Sequence, residues 1–334
     1  MSAMPAVNAE AQPLLAVRNL RVAFRSNRGD LVAVDGIDLD VQPGEVLGIA
    51  GESGSGKSVT LRAILGLLHT EVSGQVLWRG RDLIGRPERE LRRVRGGEIG
   101  IIFQEPMTAL NPVLTVGLQI LENLKEHTQL DAAARRARAI ELLDLVGIPA
   151  AASRLDDYPH QFSGGMRQRA MIAIALASNP KLLLADEPTT ALDVTIQDQI
   201  LKLILRLRDE LKMSVVLVTH DLGVIAQTCD RLAVMYAGRV AEMGTVAALF
   251  RAPRHAYTLG LLNSVPRAGL VRQPLASIPG QPPLLSQLPP GCAFAPRCRF
   301  VTEDCKETKP ALVEVALGHA SACIHHDQVA AAGS

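Results

Sequence analysis

Eight residues, Gly51-Glu-Ser-Gly-Ser-Gly-Lys57-Ser58, fit the P-loop pattern G-x-x-x-x-G-K-[ST] at every fixed position. Gly51, Gly54 and Gly56 let the backbone bend so that successive N–H groups face one anion, and a helix starting at the loop's end adds its positive dipole end. The phosphate-facing run includes Ser53, Ser55 and Val59. Lys57 is placed to reach the outer phosphates of a nucleotide, and the Ser58 hydroxyl to ligate Mg²⁺. The motif needs a strand before it and a helix after it. Glu45–Ala50 is an apolar run of strand length, and Val59–Leu68 has the spacing of a helix with one buried face.

Other residues could complete such a site. Lys181-Leu-Leu-Leu-Ala-Asp186-Glu187-Pro188 reads as a buried strand ending in a carboxylate pair: Asp186 to hold Mg²⁺, Glu187 to polarise an attacking water. Gln104 closes the apolar run from Ile99, where a glutamine can touch Mg²⁺ or the water while sensing the loop beyond it. In Phe162–Arg169, Ser163 can cap a helix, and Gly164 and Gly165 let backbone amides approach a phosphate. Ala191-Leu-Asp193 reads as a turn, and His220 follows the apolar strand Ser214–Thr219. A lone histidine there is ordinarily structural; after these motifs, in this order, it belongs with the site. Phe24, at a strand end, could stack on an adenine ring or simply fill the core.

The elements that must position these groups belong to an α/β fold. With 334 residues, 48% of them hydrophobic, the chain suffices for one large domain plus an appendage. Aromatics are only 3%, so the core is aliphatic, which suits a sheet flanked by helices. Thirty-five Lys and Arg against 34 Asp and Glu give no global field toward nucleic acid or anionic lipid. No apolar run approaches the ~18 residues of a membrane span, and Met1–Pro13 lacks the pattern of a signal peptide, so a cytoplasmic protein is expected.

Leu14–Val41 reads as antiparallel strands broken by a polar turn at Ser26–Asp30, and Ser73–Gly80 as an edge strand. Helical periodicity runs from Val113 to about Gly147, with a solvated charged face over Asp131–Glu141.

Together these motifs resemble the ATP-binding subunits of ABC transporters, and most closely those of peptide (dipeptide/oligopeptide) importers, over nearly the whole chain. The resemblance implies a P-loop NTPase with a RecA-like core, an antiparallel β subdomain and a helical subdomain at about 106–177, all within 1–252, and a C-terminal extension over 253–334. Gln104 then matches the Q-loop, Ser163–Gln168 the signature, Asp186 and Glu187 the magnesium-site and catalytic carboxylates, Asp193 the D-loop, His220 the switch histidine and Phe24 the adenine-stacking aromatic. Met166 stands where the wider family often has glutamine, a mark of the peptide-importer variant. The resemblance also implies a head-to-tail partner ATPase subunit, often a sister chain, with two membrane permeases and an extracytoplasmic peptide-binding protein. The chain would sit peripherally at the cytoplasmic face of the membrane. The loop Gln104–Pro112 and the helices after it, with Leu110 and Val113, are the expected permease surface. Nickel or another small solute is an alternative cargo. A soluble ABC-type ATPase acting on nucleic acid or ribosomes fits less well, because Gln104–Ser163 leaves no room for a coiled-coil arm.

Nine of the 20 prolines fall between Pro253 and Pro296, as in an extended connection. His255–Leu262 resembles the helix that opens the importer extension, with Ala256 in place of a common proline. Cys292, Cys298, Cys305 and Cys323 then form C-x5-C-x6-C-x17-C, and Cys229 stands apart as a core thiol. In a reducing compartment such clustering argues for metal over disulfides, and four thiolates suit Zn²⁺ or an iron–sulfur cluster equally. The family resemblance favours [4Fe–4S], with zinc or unligated thiols as the alternatives. A metal-sensing regulatory subunit is the corresponding rival function.

Overall fold

The computed structural model describes residues 12–25, 29–190, 192–264 and 277–333. Ala191 and most of the turn expected at 26–30 lie outside them. Twelve strands are described, in two sheets. β1 (Leu15–Phe24), β2 (Leu31–Val41), β4 (Glu71–Trp78) and the two-residue β5 (Arg81–Asp82) form an antiparallel sheet ordered β2-β1-β4-β5. β4 is therefore not the edge expected of it, because Arg81 and Asp82 turn back to pair with it. The second sheet is ordered β11-β12-β10-β9-β3-β8-β7-β6, from β3 (Val46–Ala50), β6 (Ile99–Ile102), β7 (Leu182–Asp186), β8 (Ser214–Val218), β9 (Arg231–Tyr236), β10 (Arg239–Thr245), β11 (Val313–Ala316) and β12 (His319–Ser321).

Five neighbouring strands of this sheet, β6-β7-β8-β3-β9, run parallel. β3, β7 and β8 are buried at every residue, as expected of strands covered on both faces. Their side chains alternate between two apolar clusters. Leu183, Ala185, Val215 and Leu217 pack with the helices Val116–His127, Ala132–Leu145 and Gly164–Leu176. Leu182, Leu184, Val216 and Val218 face the antiparallel sheet and the helix Lys57–Ile64.

The periodicity from Val113 resolves into two helices. Val116–His127 is capped by the Thr115 hydroxyl, which accepts from Leu118 N, and Ala132–Leu145 by the Asp131 carboxylate, which accepts from Ala134 N. The helix after the loop starts at Lys57 and stops at Ile64, short of Leu68, where Gly66 takes a φ of +61°.

The C-terminal segment joins the second sheet. β12 pairs antiparallel with β10, and β11 with β12. A third apolar cluster unites β9, β10 and the helix Ala256–Asn263 around Tyr236, Tyr257 and Phe294. Fully buried Glu242 on β10 pins the start of this segment, accepting from the amides of Arg254 at 2.6 Å and His255 at 2.9 Å, with His319 Nε2 at 2.7 Å.

Candidate functional site

Parallel strands deliver their following residues to one edge of a sheet, the usual ligand position in such folds. Here Gly51 follows β3, Gln104 lies just past β6, Glu187 follows β7 and His220 lies just past β8.

The P-loop runs from β3 into the helix Lys57–Ile64. Its glycines are required at two points. A Cβ on Gly51 would stand 2.2 Å from Met235 O, and one on Gly56, at φ +102°, 2.7 Å from Ala33 O. The Lys57 ammonium is folded into the loop, donating to Gly51 O at 2.7 Å and Glu52 O at 2.9 Å. Burial pushes the Lys57 pKa down, against the pull of the Glu187, Asp186 and Glu52 carboxylates. At the next residue the Ser58 hydroxyl donates to Asp186 Oδ1 at 2.8 Å. Burial raises the Asp186 pKa, opposed by that hydrogen bond.

Glu187 is the meeting point of the other strand ends. Its Oε2 accepts from Gln104 Nε2 at 3.1 Å and from the Thr190 hydroxyl at 2.9 Å, and His220 Nδ1 lies 3.4 Å away. Thr190 was not among the residues singled out in the sequence. Its position three residues after Glu187, in the turn that follows the strand, is the signal that would have found it.

The remaining candidates lie further out. Ser163 caps the helix Gly164–Leu176, its hydroxyl accepting from Met166 N at 3.3 Å, while Gly164 and Gly165 lie against Leu192 and Ile196. Asp193 caps the helix Val194–Leu211 by accepting from Ile196 N at 3.0 Å. Gln168 is buried, and its amide nitrogen has no partner among the described residues. Phe24 is half-buried at the end of β1, paired with Leu31 and packed on the second apolar cluster. Ser53 and Gly54 are exposed on the loop, whereas Ser55 is buried, and Val59 is half-buried in the helix that follows.

The iron–sulfur expectation is corrected by the structure. Cys292, Cys298, Cys305 and Cys323 do share the lining of one cavity, but it measures about 20 Å³, room for a single water rather than a cluster. Among the described residues no group of three His, Cys, Asp or Glu side chains is disposed to hold a metal ion, so nothing there supports the zinc alternative either. The thiols instead behave as apolar packing. Burial pushes Cys298 up to about 11 and raises Cys292 and Cys323, which keeps them protonated. Cys292, Cys298 and Cys323 pack on the third apolar cluster. Cys229 is a core thiol as expected, pushed up to about 12. Among the described residues, no helix is long and apolar enough to cross a membrane.

Residues 34–190 match the ABC transporter family, and residues 241–305 match the oligopeptide/dipeptide transporter C-terminal region. A putative peptide import ATP-binding protein of Brucella melitensis is 50% identical over 335 residues, covering 96% of this chain and 99% of that protein. A probable peptide ABC transporter ATP-binding protein of Sinorhizobium fredii is also 50% identical, covering 96% of this chain and 98% of that protein. Among solved structures, a dimeric ATP-binding cassette in a post-hydrolysis state bound to ADP and Pi superposes with a TM-score of 0.64 at 31% identity, covering 70% of this chain and 98% of that one. The cbiO1 protein of Clostridium perfringens, part of an ABC transporter complex, gives a TM-score of 0.61 at 29% identity, over 72% of this chain and 91% of that one.

Proposed function

The chain belongs to the ATP-binding subunits of ABC transporters, in the peptide-importer family, and from that premise we propose that its strand-end site hydrolyses MgATP to drive uptake of di- and oligopeptides through partner permeases. The observation that carries the chemical part is the convergence of Gln104, Thr190 and His220 on one Glu187 oxygen, beside the Ser58–Asp186 pair.

Each group then has a role. Lys57 exchanges its loop carbonyls for the β- and γ-phosphate oxygens, and the loop amides receive the rest of the phosphate charge. Ser58, Asp186 and Gln104 offer the hard oxygen donors that suit Mg²⁺. Bound there, the ion would neutralise phosphate charge and counter the burial that raises Asp186. Glu187 takes the proton of the attacking water, Gln104 and Thr190 hold its carboxylate in place, and His220 faces the same point from the neighbouring strand. Phe24 offers its ring to the adenine.

A second ATPase subunit completes the site, its signature lying over this chain's P-loop, and Ser163, Gly164, Gly165 and Gln168 here do the same for the partner, next to Asp193. The dimeric cassette among the solved relatives supports this arrangement. We assign the partner as a sister chain. Two permeases and an extracytoplasmic peptide-binding protein complete the importer, with this chain held peripherally at the cytoplasmic face and 253–334 as its importer-specific extension. The peptide-import names of the relatives and the match at 241–305 support that assignment. The test is co-expression with two candidate permeases, followed by reconstitution into vesicles. ATP-dependent uptake of labelled di- to pentapeptides is expected. Failure to copurify with any permease, or uptake of other solutes alone, would overturn the assignment.

A further inference from the structure

Glu52, the second residue of the P-loop, has all three of its polar handles engaged. Its carboxylate receives the fork of Arg297, Nη1 to Oε2 at 2.7 Å and Nη2 to Oε1 at 2.9 Å. Its amide donates to the Tyr257 hydroxyl at 2.8 Å, and its carbonyl accepts from the Lys57 ammonium at 2.9 Å. Two of these contacts come from the C-terminal segment and the third from the lysine assigned to the phosphates. We propose that Arg297 and Tyr257 are positioning residues for nucleotide binding, acting through Glu52 to fix the first turn of the P-loop.

Both residues are themselves held. The Arg297 side chain is only 5% exposed, and its remaining donors reach Pro279 O at 2.9 Å and the Tyr236 hydroxyl at 3.3 Å. Tyr257 is fully buried, its ring centroid 4.6 Å from that of Tyr236 and 5.4 Å from that of Phe294. A planar fork against a carboxylate fixes direction as well as distance, which a lysine cannot do. On its other side the start of the loop presses on β9, because the site of a Gly51 Cβ is filled by Met235 O.

The clamp ends at Glu52. A Cβ at Gly54 would meet nothing within 4 Å, and a cleft of about 450 Å³ separates Glu52–Ser55 from Pro282–Ser286 of the C-terminal segment. Preorganising the first turn sets the carbonyls that seat Lys57, and Glu52 O also accepts from Ser55 N at 3.2 Å. Glu187, Gln104 and His220 ride on other strands, so loss of the clamp weakens nucleotide binding more than turnover. A mere brace for the fold would change melting temperature and leave affinity alone.

The proposal rests on the loop being the nucleotide site, which MgADP binding by the wild-type full-length chain establishes separately. Titrating MgADP calorimetrically into full-length variants then reads the clamp. Arg297→Ala and Glu52→Gln should each raise Kd about 10-fold, the size of one charge-assisted hydrogen bond. The double variant should be no worse than either single one, because both remove the same pair. Arg297→Lys should recover affinity only in part, and Tyr257→Phe, which keeps the ring packing, should raise Kd a few-fold. In the assembled transporter Arg297→Ala should raise KM for ATP with kcat within about threefold. An unchanged Kd in folded Arg297→Ala, or additive effects in the double variant, would overturn the proposal. If Arg297→Ala does not fold, unchanged Kd in both Glu52→Gln and Tyr257→Phe would overturn it equally.

Discussion

His220 Nδ1 lies 3.4 Å from Glu187 Oε2, although the two residues follow different strands. The pairing of β7 with β8 produces this approach, because Asp186 is in register with Val218 and the chain leaves both strands at the same level. Glu187 takes a left-handed φ of +46°, and its amide donates to Val218 O at 3.0 Å. A non-glycine residue held there costs on the order of 1 kcal/mol, and such strain persists where surrounding bonds fix the backbone. The carboxylate is thereby aimed at His220, Gln104 and Thr190 together.

Thr190 gives the first prediction. Thr190→Val keeps the shape and removes the hydroxyl that donates to Glu187 at 2.9 Å. Loss of one such bond, worth about 1 kcal/mol, should lower kcat roughly fivefold with little change in KM. Steady-state ATPase assays on the assembled transporter read this, and an unchanged kcat would remove Thr190 from the site.

Lys57→Ala should act on binding instead. Its ammonium is the buried cation nearest the loop carbonyls, and its loss should weaken MgATP binding by at least about 100-fold, as expected when a charge-assisted contact to phosphate disappears. Calorimetric titration of the full chain decides it; retained affinity would place the phosphates elsewhere.

His255 supplies a pH test. Its Nδ1 accepts from Tyr257 N at 3.1 Å at the start of the helix Ala256–Asn263, and burial pushes its pKa from 6.5 down to about 4, the Glu242 carboxylate opposing. As pH falls through 6.5 the unfolded chain takes up a proton that the folded chain refuses until about 4. Stability is therefore complete above pH 6.5 and falls across that window, by on the order of 3 kcal/mol. His255→Asn keeps a capping acceptor but does not titrate. Urea unfolding of the variant should show a shallower loss between pH 6.5 and 4, and parallel profiles would contradict the account.

The permease surface is tested by crosslinking. Leu110, expected in that surface, is buried, whereas Met107 and Val113 are 58% and 75% exposed. Cysteines at Met107 and Val113 should crosslink to the permeases. Crosslinks confined to 253–334 would move the contact to the C-terminal segment.

The sequence was most informative where spacing alone carries the chemistry. A phosphate loop occupies eight consecutive residues, and β7 and β8 announce themselves as apolar runs ending at Asp186 and before His220. It was least informative where contacts join distant segments. Nothing in the spacing of Glu52 and Arg297 foretells that they meet, and Thr190 acquires meaning only once Glu187 turns toward it. The four cysteines misled because clustered thiols look alike whether they ligate metal or pack as small apolar groups. The small cavity the four share, and the burial that raises Cys292, Cys298 and Cys323, fit the packed case. Leu110 failed for the same reason, since proline-bounded loops do not reveal which side chain turns inward.

Glu187→Gln tests the central assignment most directly, because it preserves shape while removing the charge that accepts the water's proton. ATP hydrolysis by the assembled transporter, in a form where the sister subunit contributes no turnover, should fall by about 10²–10⁴-fold, the usual size of a general-base contribution. MgATP affinity should stay within about threefold, since Lys57 and the loop are untouched. Hydrolysis at the wild-type rate in that preparation would contradict the account.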